Sequence, residues 1–207
     1  MCGITGIISK SNDKKKYINL MNDRIIHRGP DASGVFVSEY VALGQRRLSI
    51  IDLSDNGNQP LYNEDKSILV VFNGEIYNYL ELKKILIENG HVFSTDTDTE
   101  VLVHGYEEWG YDLVKKLRGM FAFCIYDTNS NELFLARDHF GIKPLYYYVS
   151  DDCLLFASEI KSFLDYPSFK KELNKEMIGA YLTFSFTPSI ESISTLLSFF
   201  IFFVEIA

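Results

Sequence analysis

The sequence predicts an α+β fold in which two sheets are layered face to face and helices cover the outside. Apolar, strand-like runs occur in both halves of the chain, and segments with helical periodicity are grouped between them. Short polar turns separate the later runs, which favours antiparallel pairing. With 207 residues, 47% of them hydrophobic and 23% charged, the chain can bury a sizeable core.

The strands are identified by short apolar runs bounded by turn residues. They are predicted at residues 2–9, 34–37, 41–50, 68–72, 120–127, 132–137, 145–149 and 154–157. The two glycines in the first run indicate that other backbone approaches this strand closely.

Three helices are predicted, at residues 14–26, 77–89 and 101–109. In the first, Ile18, Met21 and Ile25 share one helical face. The second ends at Asn89-Gly90, a common C-terminal stop. The third follows Thr97-Asp98-Thr99-Glu100, which matches a capping box.

Charge and cysteine content exclude several classes of protein. A net charge of −8 and a pI near 5.0 argue against nucleic acid or an anionic membrane surface as a partner. The odd set Cys2, Cys124 and Cys153 predicts no disulfide scaffold and fits a reducing, cytoplasmic compartment. The four histidines show no metal-ligand spacing, so no metal site is predicted. The first residues have no apolar core of a signal peptide.

Cys2 is the first candidate for chemistry, because removal of Met1 would place a thiol and a free α-amine on one residue. Such an amine titrates at about 7.7–8.0 and a thiol near 8.5, so the amine can accept the thiol proton at neutral pH. The alternative is a small apolar residue that opens a strand. Cys124 lies in an apolar run and is predicted to be a buried, inert thiol.

Asn73-Gly74-Glu75 follows the apolar run 68–72 and has two interpretations. Asn-Gly is the favoured dipeptide of a two-residue hairpin. The residues after Glu75, however, have helical rhythm and do not return as a strand. In the second interpretation, the side-chain amide of Asn73 and the backbone N–H of Gly74 form a two-donor oxyanion hole.

Two charged side chains are candidates for binding an amino acid. Arg47 ends an apolar strand, where its planar guanidinium suits a small carboxylate; the alternative is a surface arginine on a strand edge. Asp98 suits an ammonium group, or it favours the positive end of the helix that it precedes. The loop His27-Arg28-Gly29-Pro30-Asp31 is interpreted as a rigid pocket wall, in preference to a general base at His27.

These motifs occur together in the order and spacing of a known family. They are Cys2-Gly3-Ile4, His27-Arg28-Gly29-Pro30-Asp31, Arg47-Leu48-Ser49-Ile50-Ile51-Asp52, Gln59-Pro60-Leu61, Asn73-Gly74-Glu75-Ile76-Tyr77-Asn78 and Asp98-Thr99-Glu100. The chain resembles the class II glutamine amidotransferase domain of glutamine-hydrolysing asparagine synthetases over about residues 2–190. The late blocks Gly119-Met120-Phe121-Ala122-Phe123, residues 136–147 and Phe156-Ala157-Ser158-Glu159-Ile160-Lys161 are similar to asparagine synthetases in particular.

The resemblance implies an N-terminal-nucleophile hydrolase fold, a four-layer αββα sandwich, and hydrolysis of L-glutamine to glutamate and ammonia through a thioester. It implies that Cys2 is the nucleophile, that Asn73 and Gly74 form the oxyanion hole, and that Arg47 and Asp98 bind the α-carboxylate and α-ammonium. Residues that would line the pocket are Arg47, Leu48, Ser49, Ile50, Ile51 and Glu75. In the family, the ammonia amidates aspartate on a synthetase domain that uses ATP and Mg²⁺.

That synthetase domain is expected to be absent, since no Ser-Gly-Gly-x-Asp-Ser run occurs in the sequence. Residues 2–190 are predicted to be the glutaminase domain, and residues 191–207 an aberrant apolar tail that matches no part of the family. No cofactor is therefore predicted for the chain itself. Expected partners are L-glutamine and a synthetase domain or partner chain, with a homodimer as a further option.

Two alternatives to an active glutaminase stay open. The chain is either a catalytically idle remnant or interaction module, or the amidotransferase domain of an enzyme that makes a phosphoribosylamine or an amino sugar. The intact set of candidate residues favours chemistry, and the late sequence blocks argue against the second alternative.

Overall fold

A computed structural model describes residues 1–184 and 201–205, which form two five-stranded sheets and five α-helices. The strands are β1 Gly3–Ser9, β2 Ala32–Val37, β3 Val41–Arg47, β4 Leu61–Tyr62, β5 Ile68–Ile76, β6 Gly119–Asp127, β7 Glu132–Arg137, β8 Tyr146–Val149, β9 Cys153–Ala157 and β10 Ile201–Glu205. The helices are α1 Lys14–Arg24, α2 Tyr79–Glu88, α3 Glu100–Trp109, α4 Leu113–Lys116 and α5 Met177–Phe184.

Each sheet is antiparallel throughout its described pairings. The first has the order β2-β3-β1-β9-β8, and the second has the order β10-β7-β6-β5-β4. All eight predicted strands are present, while β4 and β10 were not predicted. β4 has only two residues, too few for a periodic signal.

Three apolar clusters divide the fold into four layers. The central cluster joins the inner faces of the two sheets, with Ile4, Leu43 and Val71 among its members. The second cluster packs α2 and α3 on the outer face of the second sheet. The third packs α1 and the short helical segment Ile160–Asp165 on the outer face of the first sheet. The predicted αββα sandwich is confirmed.

The start of α3 corrects one prediction. The N-cap residue, Thr99, immediately precedes the helix and makes no side-chain capping bond, so the predicted capping box does not form. The Glu100 carboxylate instead accepts hydrogen bonds from the backbone N–H groups of Ser94 and Thr95, both at 2.7 Å. The loop before α3 folds back over the helix, and its N–H groups bond the carboxylate that a capping box would use.

Only part of the apolar tail lies within the described residues. Ile201–Glu205 pairs antiparallel with β7 at the edge of the second sheet. Residues 191–200 and 206–207, and with them most of the predicted tail, lie outside the described part of the chain. In the described part, no helix is both long and apolar enough to span a membrane.

Candidate active site

Cys2 is carried by the strand at the centre of the first sheet. Side chains two residues apart in a strand point to the same face, and Ile4 of β1 packs between the sheets. Cys2 immediately precedes the first residue of β1, and its side chain therefore faces the space between the sheets. Its Sγ lies 3.4 Å from the backbone N of Leu48 and 3.6 Å from the Leu48 carbonyl oxygen. The thiol is half-buried, whereas Cys124 and Cys153 are buried.

The loop after α1 holds the backbone of Cys2. Nε of Arg28 donates to the carbonyl oxygen of Cys2 at 2.9 Å, and its Nη1 donates to Glu159 at 3.0 Å. Gly29 packs directly on β3, since a Cβ there would lie 2.4 Å from the carbonyl carbon of Arg46. His27 bonds Glu159 on the surface and does not line the pocket. These contacts agree with a structural role for the loop, and they add Arg28 as a residue that positions Cys2.

Arg47 ends β3 on the same face as Leu43, so its side chain also enters the layer between the sheets. It is 6% exposed, which rules out the alternative of a surface arginine. Nη1 donates to the carbonyl oxygen of Ser54 at 2.7 Å and to Oδ1 of Asn58 at 3.0 Å, and Nη2 donates to the carbonyl oxygen of Asp52. The loop 52–58 thus surrounds one end of the guanidinium. Nε has no acceptor among the described residues.

Asn73 and Gly74 lie inside β5, which continues to Ile76, so the hairpin-turn interpretation is wrong. Asn73 shares the inward face of Val71 and points toward the first sheet. Its side chain is 1% exposed, and its Nδ2 has no hydrogen-bond partner in the described structure. A buried amide donor without a partner is costly, and such groups concentrate where a ligand completes the bond.

The N–H of Gly74 points to the free edge of β5. N–H groups of alternate strand residues share a direction, and those of Phe72 and Ile76 bond the side chains of Gln59 at 2.7 Å and Asp98 at 2.9 Å. Gly74 is opposite Phe121, whose own N–H and C=O both bond Asp138. The Gly74 N–H therefore lies between the two side-chain bonds, on the edge that faces the pocket. A Cβ at this position would lie 2.4 Å from the Met120 carbonyl oxygen.

Asp98 is a buried carboxylate at the same edge, 5% exposed. Burial raises its pKa to about 6, and the negative charge of Glu75 adds to this effect, while the Ile76 N–H lowers it. Asp98 bonds the strand through the Ile76 N–H, and the backbone of Thr99 at the start of α3 also lowers its pKa, so its position agrees with both interpretations made from the sequence. A carboxyl with a pKa of about 6 is mostly ionised at neutral pH.

These side chains converge on one cavity of about 180 Å³. Nine of the ten predicted site residues line it: Cys2, Arg47, Leu48, Ile50, Ile51, Asn73, Gly74, Glu75 and Asp98. Ser49 is the exception, because its backbone N–H turns away to bond Asp31 at 2.8 Å.

Lys143 and Met1 also line the cavity, and the sequence analysis missed the lysine. Lys143 is 5% exposed, and its Nζ lies 3.2 Å from the sulfur of Met1. Asp138 shapes the loop that carries it, by accepting from the backbone N–H groups of Phe140, Ile142 and Lys143. Burial raises the pKa of Asp138, but these bonds outweigh it and the net pKa is lowered. The position of Lys143 depends on this tertiary loop, so no local sequence pattern reports it.

Removal of the Asp98 charge is expected to stabilise the protein. The carboxyl of Asp98 has a pKa of about 4 in the unfolded chain and about 6 in the folded protein. Its ionisation therefore lowers the free energy of unfolding as the pH rises from about 4 to about 6. Asp98→Asn keeps an oxygen for the Ile76 N–H and removes this cost. We expect a gain of about 1–3 kcal/mol at pH 7.5 that shrinks toward zero near pH 4. Urea denaturation across this range measures it, with the exposed Asp96→Asn as the control.

Comparison with known proteins gives the family. The profile of the glutamine amidotransferase domain matches residues 1–200. An asparagine synthetase [glutamine-hydrolyzing] 1 of Bacillus subtilis is 47% identical over 193 residues, 91% of this chain and 30% of the relative. A putative asparagine synthetase [glutamine-hydrolyzing] 2 of Methanocaldococcus jannaschii is 42% identical and is matched over 93% of this chain and 41% of its own length. The chain thus spans only 30% and 41% of the length of these two relatives.

A solved structure shares the fold. Glutamine phosphoribosylpyrophosphate amidotransferase from B. subtilis superposes with a TM-score of 0.68 over 78% of this chain and 43% of its own, at 24% identity. This likeness bears on the fold alone, since the identity is low. The profile match spans nearly the whole sequence and the cavity holds the predicted residues. The chain belongs to the glutamine amidotransferase domain family, and the two relatives described above are named as glutamine-hydrolysing asparagine synthetases, the second as a putative one.

Proposed function

We propose that this chain hydrolyses L-glutamine to glutamate and ammonia, and that Cys2 is the nucleophile. The observation that carries the proposal is the cavity between the sheets, which is lined by a thiol, an unpartnered amide donor, a guanidinium and a carboxylate. Glutamine is complementary to this set, since it has an α-carboxylate and an α-ammonium at one end and a carboxamide at the other.

Binding would use the two buried charges. The guanidinium of Arg47 is held by loop 52–58, with Nε left to donate to the α-carboxylate. The ionised Asp98 would accept from the α-ammonium. With its two ends held in this way, the substrate presents its carboxamide to Cys2 and Asn73.

The reaction begins when the α-amine of Cys2, freed by loss of Met1, accepts the thiol proton. The sulfur attacks the carboxamide carbon, and the negative charge on oxygen is stabilised by the Asn73 Nδ2–H and Gly74 N–H groups. The tetrahedral intermediate collapses, the α-ammonium returns the proton to the leaving nitrogen, and ammonia departs. Water then attacks the γ-glutamyl thioester and its C–S bond breaks, which releases glutamate and regenerates the thiol.

Met1 itself supports the need for trimming. It lines the cavity and contacts Lys143, so its removal would also widen the site. The test is an assay of glutamate release by the purified chain, with intact mass measured on the same sample. We expect release from chains that begin at Cys2. A chain with a short, untrimmable N-terminal extension should be inactive, whereas the same extension at the C-terminus should have no effect. Equal turnover in both would refute the amine as base.

The ammonia would be used by a synthetase domain, in this or a partner chain, for the ATP-dependent amidation of aspartate. The loop that holds Lys143 supports such docking, because Phe140 is 91% and Ile142 is 55% exposed there. ATP and Mg²⁺ are assigned to no residue of this chain. A homodimer through the same loop is the alternative, which light scattering of the chain with and without Phe140→Ser distinguishes.

A further inference from the structure

A second group of functional side chains lies on α3, outside the glutamine cavity. His104 of α3 contacts His91, from the loop after α2, with ring centroids 5.2 Å apart. Single ligand atoms of Glu64, His91 and His104 lie within 4.8 Å of one another. The carboxylate of Glu107, one turn after His104 on α3, lies within ion-pair distance of a ring nitrogen of each histidine. The sequence predicted no metal site because His91 and His104 are separated by a loop and a helix start.

Three contacts between these atoms are close to the spacing of a metal coordination shell. Nδ1 of His104 lies 3.2 Å from Oε2 of Glu107 and 3.7 Å from Oε2 of Glu64. Nδ1 of His91 lies 3.7 Å from the same oxygen of Glu107. In a tetrahedral zinc site with bonds of about 2.0–2.1 Å, neighbouring ligand atoms are about 3.3 Å apart. The ligand atoms of Glu64, His91 and His104 lie within 4.8 Å of one another, a wider limit than this spacing, so the side chains must move inward to complete the shell together with Glu107.

Each carboxylate is held by its other oxygen. The backbone N–H of Val92 donates to Oε1 of Glu64 at 3.2 Å, and Nδ2 of Asn63 donates to Oε1 of Glu107 at 2.9 Å. Oε2 of each is thereby directed to the histidines. Metal sites use such outer hydrogen bonds to orient their ligands.

His104 has the surroundings of a metal-binding histidine. It is 1% exposed, and its Nε2 has no hydrogen-bond partner in the described structure. This nitrogen faces Oε1 of Glu100 at 3.6 Å, and Glu100 is held by Ser94 and Thr95. Carboxylates face both ring nitrogens, Glu100 at Nε2 and Glu107 at Nδ1, so a cation that replaced the proton at Nδ1 would leave the Nε2–H directed to Glu100.

The charges also favour a cation. Four carboxylates surround the two histidines: Glu64, Glu100, Glu107 and Glu108. Two histidinium ions would balance only half of that charge. Burial lowers the pKa of His104, but Glu100, Glu64 and Glu107 outweigh it and the net pKa is raised. A purely ionic cluster of protonated histidines is therefore the alternative to a metal.

We propose that Glu64, His91, His104 and Glu107 bind one divalent transition-metal ion, and that Zn²⁺ fits best. Two imidazoles with two carboxylates form a nitrogen and oxygen donor set that suits zinc and its neighbours. Glu64 is half-exposed, with 49% of its side chain open to solvent, which provides an entry path. The ion would join the loops at residues 64 and 91 to α3.

The test is Zn²⁺ titration of the full chain against a chromophoric chelator at pH 7.5. Cys2→Ser is the background, so that the accessible thiol does not bind zinc. We expect one equivalent with sub-micromolar affinity, and visible d–d bands of tetrahedral Co²⁺. His91→Gln should weaken binding at least about 100-fold. His139→Gln, which removes an exposed histidine elsewhere, should have no effect.

Glu64→Gln provides a second variant, because Glu64 is exposed and its loss should not unfold the chain. Circular dichroism checks that each variant is folded. The proposal is overturned by the absence of a stoichiometric site, or by affinity that is unchanged in both His91→Gln and Glu64→Gln. A histidine cluster that only titrates, with NMR shifts insensitive to Zn²⁺, would support the ionic alternative and overturn the metal site.

Discussion

Cys2→Ala is expected to lower the rate of glutamine hydrolysis at least about 10⁴-fold, because no other accessible thiol can form the thioester. Cys2 is the half-buried cysteine that lines the cavity. The variant should fold normally, since the hydrogen bonds of Sγ to described residues are two long ones to the Leu48 backbone. The measurement is single-turnover glutamate release, with intact mass after reaction with a thiol-directed glutamine analogue.

Cys153→Ala is the matched control. Burial raises the pKa of Cys153, and that of Cys124 well above its usual range, so both thiols remain protonated and unreactive. Cys153→Ala should retain the wild-type rate and the labelling at Cys2. Labelling that persists in Cys2→Ala, together with undiminished hydrolysis, would contradict the assignment of the nucleophile.

Asn73→Ala is expected to lower kcat about 10²–10³-fold, the usual effect of deleting one oxyanion-hole donor. KM for glutamine should change little, because the donor acts mainly on the charge that develops in the transition state. Stability should be nearly unaffected, since the buried Nδ2 of Asn73 has no hydrogen-bond partner to lose. Steady-state kinetics and urea denaturation on the same preparation separate these effects.

Asn63→Ala is the matched control for Asn73, because Asn63 is also buried but its amide is fully used. It bonds Ser67 and Glu107 through Nδ2 and the backbone N–H of Ile68 through Oδ1. Its loss should cost about 1–3 kcal/mol of stability and leave kcat unchanged. If Asn73→Ala instead behaved like Asn63→Ala, losing stability but not kcat, the oxyanion role would be untenable.

The spacing of apolar residues predicted much of the fold, because it reports which side chains of one strand or helix are buried together. In the structure, the alternation of side chains along β3 and β5 places Leu43 and Val71 in the inner layer, and it carries Arg47 and Asn73 onto the same inward faces. The candidate residues themselves were named from contiguous motifs and from the family resemblance, before their distances were known. Predictions from short local motifs were less reliable where a group from elsewhere in the fold bonds the same backbone or side chain. Asn73-Gly74 favours a turn by itself, but pairing with β6 keeps it extended. The carboxylate of Glu100 suits a capping box, but it accepts hydrogen bonds from the backbone N–H groups of Ser94 and Thr95 instead.

The sequence by itself determined the α+β class, nearly all strands, the family resemblance and nine of the residues that line the cavity. These follow from the spacing of apolar residues and from motifs that are contiguous in the chain. Only the tertiary structure decided which polar groups lack partners, such as Nδ2 of Asn73, and which distant groups meet, such as His91 and His104. The reason is physical, since desolvation and hydrogen bonding depend on neighbours in space, and these come from segments whose separation along the chain carries no record of their contact.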